Sequence, residues 1–250
     1  MTISSAAYLD AVSEAIQRIG TTQTAAVQRA ADLIAESLRR GGVLHAFGCG
    51  HSEALAMELA GRAGGLVPTN RIALRDIVLY GGQPRSALDD PYLERDPTIA
   101  QQLYALAPVK PDDIFVVASN SGVNGTIVEF ALLVKERGHD LIAITSHEHS
   151  SRVDSRHPSG RRLGDIADVC LDNGAPFGDA VLPLPGGGAV GALSSITAAL
   201  LAQQITVEVV RRLIDAGETP PVYLSANIPG GDEHNNAIEA RYAGRIRRTA

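Results

Sequence analysis

Apolar positions along this chain follow two different rhythms. Leu9, Val12, Ile16 and Ile19, then Val27, Ala30, Leu33, Ile34 and Leu38, recur at helical spacing, with Gly20 and Thr21–Thr22 between the two sets. The spacing predicts two helices, or one kinked helix, ending at Gly41–Gly42, where glycine accepts the left-handed turn that closes a helix. Residues 43–47, 114–118, 140–145 and 166–171 are instead short apolar runs, the mark of strands buried on both faces of a parallel sheet. Helices are predicted over 52–63, 97–106, 125–137 and 187–216, and weaker periodicity returns over 235–247. Between 66 and 82 the pattern suggests a short strand at 66–68, then a loop and short helix.

Strands alternating with helices imply βαβ units with right-handed crossovers. The expected fold class is therefore α/β, a doubly wound, three-layer αβα parallel sheet. Residues 1–40 are read as an N-terminal helical arm, and 41–250 as a single α/β domain with a C-terminal extension. Composition fits this: 45% of residues are hydrophobic, only 4% are aromatic and none is Trp, so Ala, Val, Leu and Ile must form the core. A net charge of −6 argues against nucleic acid as a partner. The longest apolar stretch, 189–210, is broken by Ser194, Ser195, Thr197, Gln203, Gln204 and Glu208, so no membrane span is expected. Two cysteines, Cys49 and Cys170, make no disulfide framework, and no signal pattern opens the chain; both point to the cytoplasm.

Ligands of open parallel sheets bind beyond the carboxyl ends of the strands. Three loops there are polar. Gly48–Cys49–Gly50–His51–Ser52–Glu53 brings backbone N–H groups and Ser52 to the start of a helix, which suits an anion; Ser52 acting only as a helix cap is the alternative. It lacks the third glycine of a dinucleotide fingerprint, Glu53 standing in its place. Ser119–Asn120–Ser121–Gly122–Val123–Asn124–Gly125–Thr126 gathers hydroxyls between a buried strand and a helix, with no Lys or Arg and no nucleotide triphosphate motif. The third loop, Ser146–His147–Glu148–His149, could hold a metal but reads better as a plain polar loop. A glycine triplet at Gly186, Gly188 and Gly191 follows no strand and is read as a tightly packed helix start.

Phe47–Gly48–Cys49–Gly50–His51–Ser52 together with Ser119–Asn120–Ser121–Gly122 resembles the SIS (sugar isomerase) family over roughly residues 30–215, and Arg62–Ala63–Gly64–Gly65–Leu66 with Gly230–Gly231–Asp232–Glu233 resembles a branch of it similar to phosphoheptose isomerase. The resemblance implies a phosphosugar ligand whose anionic head is held by Ser52, Ser119, Asn120, Ser121 and Thr126; donors of this kind recognise any tetrahedral anion, so a sugar sulfonate is the alternative to a phosphate. It also implies a homodimer or homotetramer with sites near subunit boundaries. Aldose–ketose isomerisation through an enediol needs a base and a ring-opening group. Glu58, seven residues beyond His51 and on the same helix face, is the leading base by analogy with phosphoheptose isomerases; Glu53 is the second. His51 and His234 are the ring-opening candidates, the latter in a C-terminal segment of the kind that reaches a neighbouring subunit. Phosphoheptose isomerases bind zinc through His, Glu, Gln and His; Ala54 stands where the first His belongs, so no metal or other cofactor is expected. The rival readings are a non-catalytic phosphosugar sensor and a phosphosugar lyase or etherase.

Overall fold

The computed structural model describes residues 3–248. Its main sheet has five parallel strands: β1 (Leu44–Gly48), β2 (Thr69–Ile72), β3 (Ile114–Ala118), β4 (Leu141–Thr145) and β5 (Val169–Asp172). Their order is β2-β1-β3-β4-β5, so the winding reverses between β1 and β3 and a crevice opens at their carboxyl ends. The helices are α1 (Ser5–Thr22), α2 (Thr24–Arg39), α3 (Glu53–Leu59), α4 (Asp76–Leu79), α5 (Thr98–Leu106), α6 (Gly125–Glu136), α7 (His147–Ser151), α8 (Leu163–Ile166), α9 (Ser194–Asp215) and α10 (Gly231–Glu239). A small antiparallel hairpin, β6 (Ala180–Pro183) and β7 (Ala189–Ala192), precedes α9.

Alternating side chains divide the core into two layers. Leu44, Ala46, Ile114, Val116, Ile142 and Ile144 pack on one face against α2, α3 and α9. Phe47, Phe115, Val117, Leu141 and Ala143 pack on the other against α4, α5, α6 and α8. This is the doubly wound αβα sandwich. The alanines of α2, Ala30, Ala31 and Ala35, are fully or nearly fully buried in the first layer, so residues 24–39 are packed as part of the sandwich.

Two segments differ from their sequence pattern. The strand expected at 66–68 lies instead at Thr69–Ile72, where Thr69 and Asn70 are buried polar residues that break the apolar run. The helix expected from 187 begins at Ser194. Gly186, Gly187 and Gly188 all have positive φ (92°, 110° and 78°) and form the hairpin turn, so the glycine triplet is not a helix start. Asp179 anchors the true start, accepting from both the backbone N–H and the hydroxyl of Ser194, each at 2.7 Å.

The amino end of the sheet is closed by a buried charge network. Asp113 Oδ2 accepts from His45 Nε2 (3.0 Å) and from Lys110 N (2.8 Å), while Oδ1 accepts from Val43 N (2.8 Å) and Arg245 Nη2 (2.5 Å). The C-terminal segment is strapped across the same edge, with Asn70 bonded to Arg245 O (2.6 Å) and Arg247 N (2.7 Å). Burial holds the His45 imidazole below its usual 6.5, only partly offset by Asp113. Burial alone would raise Asp113, but the bonds from His45, Lys110 and Val43 outweigh it and hold the carboxyl below 3.8. Both groups therefore bind fewer protons folded than unfolded, and both contributions are present at high pH. Stability should fall as pH drops below 6.5 towards the folded pKa of His45, and again below 3.8. Urea midpoints between pH 8 and 5 check the first step: His45→Gln should flatten the slope, and a midpoint that rises on acidification contradicts the scheme.

Candidate functional site

At the switch point a cavity of about 670 Å³ is lined by Cys49 and Ser52 after β1, by Ser119, Asn120, Ser121, Val123 and Asn124 after β3, and by Glu94 and residues 152–156. Gly48 allows the first loop to fold back, since a Cβ there would lie 2.4 Å from Ser52 O, and Gly50 turns it with φ 55°. Ser52 makes no side-chain cap bond to α3, so the cap-only alternative does not describe it. Ser119 Oγ accepts from Gly122 N (3.1 Å), which leaves its proton for another acceptor. Asn124, the N-cap residue of α6, also makes no cap bond: its amide instead donates to Glu94 Oε1 (2.8 Å). The first turn of α6 thus has no side-chain cap, and Asn124 and Ile127 at that end of the helix line the cavity, on the side of the positive end of the helix dipole.

Four of the five anion-binding candidates, Ser52, Ser119, Asn120 and Ser121, line this one cavity. The fifth, Thr126, is fully buried behind its wall and donates to Asp96 O (2.6 Å) and Leu93 O (3.3 Å). It holds the segment that carries Glu94. Gly125 does the same by close approach, since a Cβ there would meet Arg95 O at 2.1 Å.

The acid–base candidates are more dispersed. Glu53 is bound by Arg75, with Arg71 at 3.9 Å. His51 is exposed and lines a narrow cleft with Ser52, Ala54 and Leu55 of α3 on one side and Ser194, Ser195 and Ala198 of α9 on the other. Further along the α3–α9 seam, Glu58 accepts from Gln203 Nε2 (2.6 Å) and pairs with Arg62. His234 lines neither the cavity nor the cleft. Its Nε2 lies 3.0 Å from Val222 O, and Val222 bridges Leu66 just ahead of β2, at the amino end of the sheet. Burial pushes the Cys49 thiol well up, reinforced by Glu94 and Glu53, so it is no ready nucleophile; Cys170 is pushed up to about 11 by burial, then Asp172 and Asp165.

Glu58 and Gln203 meet as two members of a His-Glu-Gln-His zinc set would, but Ala54 offers a methyl group and the Arg62 cation already sits on the carboxylate. The residues present do not fit such a metal site. Among the described residues no group of three His, Cys, Asp or Glu side chains is placed to hold a metal.

Sequence reasoning missed Glu94, Arg152, Asp154 and Arg156 as cavity residues. Each arrives from a loop far along the chain: Glu94 and Arg156 contact Asn124 across 30 and 32 residues. No local spacing signals such a meeting.

A family profile described as the SIS domain matches residues 7–146. A UPF0309 protein of Listeria monocytogenes is 41% identical over 240 residues, 96% of this chain and 97% of that protein. Among solved structures, a phosphoheptose isomerase from Neisseria gonorrhoeae matches with a TM-score of 0.56 at 20% identity, over 82% of this chain and 96% of that one. A phosphoheptose isomerase from Francisella tularensis gives the same TM-score and identity over 84% and 100%. At this identity the likeness is one of fold.

Proposed function

The chain belongs to the SIS domain family, and on that premise we propose that it is a phosphosugar aldose–ketose isomerase. The observation that carries this reading is the convergence of two hydroxyl-rich loops and an uncapped α6 N-terminus on one cavity at the switch point. Ser52, Ser119 and Ser121 donate hydroxyl protons to the anionic head, and the α6 N–H groups complete its solvation. The carbon chain is then directed to the seam between α3 and α9, where a cleft of about 20 Å³ lies beside Ala54 and Ala198 and must widen to admit it. Glu58 lies six residues beyond Ser52, about 9 Å along a helix, comparable to the span from phosphate to reacting carbons in an extended sugar phosphate. Its carboxylate removes the C2 proton of the open-chain aldose as the C1 carbonyl oxygen takes up a proton from solvent, giving the enediol; the carboxylic acid then returns a proton to C1 while the C2 hydroxyl proton leaves to solvent, giving the ketose. Gln203 orients the carboxylate, and His51 at the cleft mouth assists ring opening.

The exposed side of α9 carries Ile196, Val207 and Ile214 in one stripe, with Gln203 beside it and Met57 exposed on neighbouring α3. A second copy of the chain covering this stripe would put Glu58 near a subunit boundary, in keeping with a homodimer or homotetramer.

A binding-only sensor is favoured by one observation: Glu58 is already engaged by Arg62 and Gln203. Deuterium exchange at C2 of a panel of sugar phosphates separates the readings, because a sensor binds without exchange. The anion seat is tested independently. Ser121→Ala should weaken sugar-phosphate binding about 10-fold, the worth of one hydrogen bond to a charged acceptor, with the melting temperature of the free protein unchanged. Unaltered affinity would remove Ser121 from the seat.

A further inference from the structure

The geometry points to Arg156 as the residue that makes the anion seat select a doubly charged phosphate monoester over a singly charged sulfonate. This rests on the proposed binding of an anionic sugar in the cavity. Hydroxyl and N–H donors solvate any tetrahedral oxyanion, and they discriminate poorly between one negative charge and two. Discrimination requires a full positive charge close by. Neither hydroxyl-rich loop contains one.

The fold brings one in. Arg156 lines the cavity, its backbone N–H donates to Val123 O (2.9 Å), and its Nη1 donates to Asn124 Oδ1 (3.3 Å). The next residue is pinned as well: His157 Nε2 lies 2.8 Å from Glu129 Oε2 on α6, and its Nδ1 lies 2.8 Å from Ser159 Oγ. The guanidinium is thus held against the N-cap residue of α6, where the anion is expected. Among the described residues it joins no ion pair, whereas its neighbour Arg152 is bound to Glu148 at 3.1 Å.

The remaining charges of the cavity sharpen the consequence. Glu94 and Asp154 are carboxylates on the same wall, the first bonded to the Asn124 amide. Without Arg156 a dianion would meet two negative groups with Arg152 already paired. With it, the Asn124 amide bridges a guanidinium and a carboxylate, and the incoming phosphate can draw the guanidinium to itself. Loss of Arg156 should therefore harm the phosphate much more than the sulfonate.

Calorimetric titration of pentose, hexose and heptose phosphates and their sulfonate isosteres into wild type, Arg156→Gln and Arg156→Lys provides the test. The wild type should prefer phosphate by about 10-fold or more. Arg156→Gln should lose about 30-fold for phosphate and only about 3-fold for sulfonate, in the range of one charge-assisted hydrogen bond. Arg156→Lys should recover part of the preference, keeping the charge but not the planar fork. Equal loss for both ligands, no loss for either, or a wild type that binds both alike overturns the inference while leaving the binding reading intact. A wild type that binds neither overturns both.

Discussion

Replacing Glu58 with glutamine is expected to lower C2 deuterium exchange by about 10²- to 10⁴-fold while leaving sugar-phosphate affinity within about 3-fold, the signature of a lost proton-transfer group rather than a lost contact. The amide can still meet Gln203 and keeps the volume of the α3–α9 seam, so the fold should be undisturbed. Ser52, the head-group donor on the same helix, lies about 9 Å away by helix rise, which is why binding should persist. Exchange that survives Glu58→Gln would move the base elsewhere, to Glu94 or Asp154, the two carboxylates lining the broad cavity. Loss of binding together with exchange would mean that Glu58 supports the seat instead.

Asp113→Ala should be the costliest single change for stability, about 3–5 kcal/mol in urea unfolding. Asp113 and His45 both have fully buried side chains. Removing the carboxylate strands the Val43 and Lys110 N–H groups, the His45 ring and the Arg245 guanidinium at once. It also removes one of the ties that hold the C-terminal segment there, leaving those made by Asn70. Asp113→Asn keeps the shape and one acceptor oxygen but not the charge, and should fall between. If the alanine variant unfolds at the wild-type midpoint, the network is decorative.

Much of the fold could be read from the residues because β1, β3 and β4 are covered on both faces and so cannot hide: β3 is apolar throughout, and β1 and β4 are apolar apart from His45 and Thr145. β2 was misplaced for the opposite reason. Asn70 is buried, yet its polar atoms are satisfied by Arg245 and Arg247 from the far end of the chain, a compensation no local window contains. The hairpin before α9 was masked by glycines whose positive φ cannot be distinguished in sequence from close packing. Ser52, Ser119, Asn120 and Ser121 were legible because their loops follow strands directly. Thr126 shares that loop but is already the second residue of α6, where its hydroxyl faces the 93–97 segment. Glu94 and Arg156 were not legible, being joined to the site by tertiary contacts alone.

The strapped amino edge of the sheet has a consequence for how such a chain can change over generations. Its charge network and C-terminal strap secure the sandwich at the end where no ligand is expected, while the hydroxyls and uncapped N–H groups lie at the other. Substitutions in 89–97 and 152–162 can therefore retune the ligand without first weakening the anchor. A laboratory selection for a new acidic sugar would do best to randomise those two loops and leave Asp113, His45 and Arg245 alone.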